Sequence, residues 1–83
     1  MAKEKKPLPC PEFGGYLREL RKAAGFTQES FAVAAGFDRT YISGVERGER
    51  NVSLINICRF ADTLNIHPAK LFEFYEPLEQ AWG

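Results

Sequence analysis

The sequence predicts an all-α fold of five helices, and three observations predict it. Apolar residues recur at helical spacing, as in Phe13, Leu17, Leu20 and Ala24, which repeat at 4, 3 and 4. The stretches between are punctuated by helix starters (Thr27, Asp38, Ser53, Pro68) and by helix-ending glycines (Gly25, Gly36, Gly48). Eighty-three residues, 45% hydrophobic and 13% aromatic, suit one small folded domain and leave no room for a second. The expected layout is an arm over residues 1–11, a helical domain over 12–76 and a tail over 77–83.

Met1 to Pro11, with three lysines and three prolines, reads as a terminal arm, and Cys10 within it as an exposed thiol. The first helix is expected from about Glu12 to Ala24, with Phe13, Leu17, Leu20 and Ala24 as its buried stripe. Gly14 and Gly15 each cost roughly 1 kcal/mol against alanine, so its first turn should fray. Thr27 caps the second helix, whose apolar side is Phe31, Ala32 and Ala35, and Gly36 suits the left-handed residue that ends it. Asp38 caps the third helix; Ile42 and Val45 turn inward and Gly48 stops it. Two helices this short, joined by a tight turn, are how a helix-turn-helix is built.

The loop Gly48–Val52 is polar. Ser53 caps a fourth helix to about Leu64, with Leu54, Ile57, Cys58, Ala61 and Leu64 inward and Ile55, Arg59 and Phe60 off that stripe. On that stripe Cys58 serves as a small hydrophobe. Pro68 opens the fifth helix, preceded by His67 as a helix-start residue; it runs to about Tyr75 and is ended by Pro77. Leu71, Phe72, Phe74 and Tyr75, with Trp82, exceed what one short helix buries. Two readings stand: part of this surface forms a dimer contact, or all of it packs on helices one and four.

Arg39, Thr40, Ser43 and Arg47 lie away from the Ile42/Val45 side of helix three, and Arg39 and Thr40 are in its first turn. In a helix-turn-helix that end of the second helix faces base edges in the major groove. Arginine offers paired donors to guanine O6 and N7, and threonine donates, accepts or packs its methyl on thymine. The competing reading is an amphipathic helix with a solvated polar face.

Residues 13–66, above all DRTYISGVER (Asp38–Arg47) and RNVSL (Arg50–Leu54), resemble the lambda-repressor/Cro-like (Xre) helix-turn-helix family, and within it most resemble the controller proteins of restriction-modification systems. The resemblance implies a five-helix lambda-repressor-like domain and a sequence-specific transcriptional regulator. It would act as a homodimer on a palindromic operator, with double-stranded DNA and itself as partners, in the cytoplasm. Base reading would fall to Arg39, Thr40 and Ser43, with Tyr41 packing on sugar-phosphate or a thymine methyl. Gln28, Arg50, Asn51 and Ser53 would grip phosphates, Gln28 beside the free amides that open helix two. Arg21 and Glu46 match a structural ion pair that ties helix one to the end of helix three. The arm either is a disordered terminus or adds weak, salt-sensitive phosphate contact.

Charge gives no global basic field, with 11 basic and 11 acidic residues. It is uneven, however: residues 1–50 hold nine Lys/Arg against seven Asp/Glu, while residues 71–83 hold three Glu and no cation, so a dipolar molecule could turn its positive side to phosphate. Two cysteines and one histidine make no metal spacing. No metal site, cofactor, ligand-sensing domain or small-molecule ligand is expected, and no nucleophile–base pair or phosphate-cradling glycine loop points to an enzyme. Lys3, Glu4, Lys5 and Lys6 are not followed by an apolar run, and no stretch approaches membrane-spanning length. The alternative function is an antitoxin-type helix-turn-helix protein whose main role is binding a partner protein.

Overall fold

The computed structural model describes residues 9–75. It contains α1 (Cys10–Ala23), α2 (Gln28–Ala35), α3 (Arg39–Glu46) and α4 (Leu54–Leu64), followed by a short 3₁₀ helix (Pro68–Phe72). The class is all-α, with four α-helices and one 3₁₀ helix among the described residues, the latter in place of the expected fifth helix. The expectations for Pro77, Trp82 and most of the arm lie outside the described residues.

Helix α1 starts two residues earlier than its periodicity suggests. Pro9 takes the N-cap position and accepts from the Phe13 amide at 2.8 Å. Pro11 falls in the first turn, where a missing amide breaks no helical bond. Cys10 is therefore a half-buried helical residue, not an exposed thiol on an arm. Gly14 has a packing reason to be glycine. That residue is buried where α1 crosses the end of α3, and a Cβ there would overlap the Val45 carbonyl and stand 2.7 Å from the Glu46 carbonyl oxygen. Gly15 faces open space.

Capping explains the next three elements, with one exception. Thr27 and Ser30 exchange hydrogen bonds as a capping box, at 3.0 and 2.9 Å. Gly36 ends α2 at φ 82°. Asp38 holds the N-cap position of α3 in extended backbone, but its side chain makes no capping bond, which corrects the sequence expectation. The Ser53 hydroxyl accepts from the Asn56 amide at 3.1 Å and opens α4.

Leu17, Phe31, Ile42, Val45, Phe60 and Leu71 form the fully buried centre. The inward face of α4 is turned from the one expected: Phe60 is fully buried, Cys58 is half-buried and Leu54 is 71% exposed. Aromatic packing decides this orientation, because Phe60 lies 5.7 Å from Phe31 and 5.3 Å from Phe37, ring centre to ring centre. On α1, the expected stripe residue Ala24 is exposed and Arg21 is buried. The C-terminal aromatic surface divides. Leu71 is core and Phe74 packs edge-on to Phe13 at 5.7 Å, while Phe72 stays 47% exposed.

Candidate nucleic-acid interface

The third helix is anchored from below and open above. Ile42 and Val45 are buried, and α3 packs on both α1 and α2. Arg39 and Thr40, in its first turn, are exposed. Arg39 shares a shallow recess with Arg21, Lys22, Thr27, Gln28 and Glu29, at the N-terminal end of α2. The start of α3 and the start of α2 thus face the same depression, where Lys22 and Arg39 stand against Glu29 and the Arg21 charge is already paired with Glu46.

Below that recess the side chains are interlocked. Arg21 Nε and Nη2 donate to Glu46 at 2.6 and 3.0 Å, and Arg21 Nη1 donates to the Phe26 carbonyl at 2.8 Å. Gln28 Nε2 donates to the same Glu46 carboxylate at 3.0 Å. One proton of the Gln28 amide is therefore committed to holding the end of α3, and its second remains for another acceptor.

The remaining expected residues form two further groups. Tyr41 is half-buried: its ring lies 5.0 Å from Phe37, and its hydroxyl accepts from Asn56 Nδ2 at 3.0 Å. It does not project with Arg39 and Thr40. The Arg50 guanidinium sits 5.6 Å over the Tyr41 ring, and its stem crosses α3 at Gly44, where a Cβ would stand 3.3 Å from Arg50 Nε. At the far end of α3, the Ser43 hydroxyl accepts from Arg47 Nη1, while Arg47 Nε and Nη2 donate to Glu49 at 3.1 and 3.0 Å. That pairing, by hydrogen bond and then by charge, raises Arg47 above its ordinary value and lowers the Glu49 carboxyl below its own. Asn51 is exposed beside Arg50, and Ser53 is spent as an acceptor in the α4 cap, leaving its hydroxyl proton.

Sequence reasoning missed three residues of this region. Asn56 orients Tyr41. Gly44 lets Arg50 lie close on α3; a glycine in a helix interior is the sequence signal for such an approach. Arg59, expected merely off the inward stripe, donates to the Ala35 and Gly36 carbonyls at 3.0 and 3.1 Å and lies 4.3 Å over the Phe37 ring. Among the described residues no helix is long and apolar enough to cross a membrane, and no group of three or more His, Cys, Asp or Glu could hold a metal ion.

Residues 17–71 match the helix-turn-helix family HTH_3. The control protein C.MunI of a Mycoplasma species is 45% identical over 65 residues, 77% of this chain and 88% of that protein. The control protein C.BamHI of Bacillus amyloliquefaciens is 41% identical over 63 residues, 75% of this chain and 78% of its own length. Among solved structures, the restriction-modification controller protein C.AhdI from Aeromonas hydrophila superposes with a TM-score of 0.74 at 54% identity, over 76% of this chain and 96% of that one.

Proposed function

The chain belongs to the helix-turn-helix family, as a DNA-binding transcriptional regulator, and we propose that it acts as a homodimer on a palindromic operator in the manner of a restriction-modification controller. The observation that carries the reading is the pairing of an exposed Arg39 and Thr40 with a helix whose other side is locked into the core.

Arg39 presents two donors to guanine and Thr40 its hydroxyl and methyl to the neighbouring base. Ser43, which accepts from Arg47, offers its remaining O–H to a base acceptor. Tyr41, turned toward Asn56, supports Arg50 and meets the sugar-phosphate rim. Gln28, Arg50, Asn51 and Ser53 hold phosphates, Gln28 through its second amide proton and the helix start behind it. The partner copy docks on apolar surface that the monomer leaves outward, Leu54 and Ile55 of α4 at 71% exposure each and Phe72 of the 3₁₀ helix at 47%. A two-fold dimer then places two α3 helices in successive major grooves, about 34 Å apart.

Selection of bound fragments from a random double-stranded DNA pool tests this reading. The expected product is an inverted repeat with half-sites about one helical turn apart. A pool that shows no enrichment after repeated rounds would sink it.

A further inference from the structure

We propose that Arg59, on α4, is a positioning residue for DNA reading: it clamps the turn between α2 and α3 and so fixes the direction in which Arg39 and Thr40 are presented. The inference rests on the function proposed above, and it assigns a role to a side chain outside the reading face.

The turn needs a clamp for a reason visible in its backbone. The last carbonyls of α2 have no amide partner within the helix, and α2 has no basic residue in its last turn to serve them. Arg59 supplies one from another helix, 23 and 24 residues away in sequence, with a single guanidinium nitrogen bridging the Ala35 and Gly36 carbonyls at 3.0 and 3.1 Å. The same guanidinium sits over Phe37, its central carbon 4.3 Å from the ring centre. Phe37 is the middle residue of the turn, and it in turn packs at 5.0 Å on Tyr41, the third residue of α3. Two of the three residues joining α2 to α3 are therefore held by one side chain. Gly36 contributes by its lack of a side chain: a Cβ there would stand 2.6 Å from Arg59 Nη2.

The α2–α3 angle sets where the first turn of α3 points. Charged hydrogen bonds to two carbonyls, the one to Ala35 partly buried and the one to Gly36 exposed, add resistance to opening of that angle beyond the contact with Phe37. With the clamp released, α3 keeps its own hydrogen bonds and buried underside but samples a wider range of tilts. Base contacts need both partners aligned, whereas phosphate contacts tolerate such tilting.

The test compares the full chain with Arg59→Met and Arg59→Lys on the selected operator and on random DNA of equal length, across a salt series, with the folded fraction followed by circular dichroism. Methionine keeps an apolar stem on Phe37 and loses both carbonyl bonds; lysine keeps the charge but cannot cover the ring while spanning two carbonyls. Arg59→Met is expected to bind the operator about tenfold more weakly. Its affinity for random DNA should stay within about twofold and its salt slope unchanged. Arg59→Lys should show the same operator-specific loss, several-fold in size, and it decides the matter should the methionine variant be unfolded at the assay temperature. Unchanged operator affinity overturns the proposal. So does an equal loss on both DNAs with a salt slope smaller by about one, which marks a direct phosphate contact. A loss that follows the folded fraction alone also overturns it. A wild-type chain that selects no sequence at all instead sinks the proposed function.

Discussion

Arg21 and Glu46, 25 residues apart, form a two-pronged ion pair at 2.6 and 3.0 Å with their side chains 8% and 3% exposed. The third guanidinium arm meets the Phe26 carbonyl, and Gln28 adds a fourth bond to the carboxylate side. Burying two charges is costly unless their polar atoms are hydrogen-bonded, and here each guanidinium nitrogen and each carboxylate oxygen has a partner, from α1, α2, α3 or the α1–α2 turn. The result is a pin through the end of α3. Glu46→Gln strands the buried Arg21 charge and should cost about 3–5 kcal/mol in urea unfolding. The paired replacement Arg21→Met with Glu46→Leu should cost distinctly less. If the single and the double variant lose equally, the two charges are not coupled as the geometry requires.

Gly14 and Gly15 are neighbours with opposite expectations. At Gly14 a Cβ collides with backbone carbonyls of Val45 and Glu46, which no rotamer change relieves. Gly14→Ala should therefore destabilise by about 1–3 kcal/mol through forced separation of α1 and α3. Gly15 has nothing within 4 Å of the same atom, so Gly15→Ala should stabilise by roughly 0.5–1 kcal/mol through helix propensity. Thermal melts of the two variants check both signs at once.

That pair also marks what the sequence carries. Thr27, Gly36 and Ser53 announced their roles because capping and positive φ are properties of the local backbone. The placement of α2 and α3, and of Arg39 and Thr40 on the free side of α3, followed from it. Gly14 and Gly15 read alike because the difference lies in a helix 31 or more residues further along the chain. The phase of α4 was illegible for a related reason: Leu54, Ile57, Cys58 and Ala61 make a respectable stripe, and only the rings of Phe31 and Phe37 draw Phe60 inward instead. Tyr41 could not be placed either, since its orientation depends on Asn56 and Phe37 meeting it from either side.

Arg39 carries the base-reading part of the proposal. Arg39→Ala should cost roughly 1–3 kcal/mol on the selected operator and far less on random DNA. Competition binding at one salt concentration measures both. Equal losses on the two DNAs would remove Arg39 from the specificity residues.

The proposed dimer contact is testable without DNA. Leu54 and Ile55 are 71% exposed, so a charge at either position leaves the monomer's core untouched. Leu54→Asp with Ile55→Asp should keep the helical circular dichroism while sedimentation shifts from dimer to monomer. Operator affinity should fall as well, because each half-site must then be bound independently. A dimer that survives both aspartates would move the interface elsewhere.

Glu49 sits on the side expected to face phosphate, and Arg47 is what makes it tolerable there. Hydrogen bonding and charge from Arg47 lower the Glu49 carboxyl below its ordinary value of 4.5. A depressed carboxyl contributes to stability above its unfolded value, and that contribution disappears as pH falls through the folded one. The window is therefore acidic, below about pH 4.5, and the effect on folding is small because the side chains are 55% and 59% exposed. On DNA the consequence is larger. Glu49→Gln removes one negative charge from the rim and frees Arg47 for a phosphate, so random DNA should be bound several-fold more tightly, with a salt slope steeper by about one. Ser43 loses the fixed donor that orients its hydroxyl, since Arg47 no longer has Glu49 to hold it in place. Operator affinity should consequently rise less than random affinity, and the ratio between them should shrink. A salt slope identical to that of the wild-type chain would mean that Arg47 stays off the backbone whether or not Glu49 holds it.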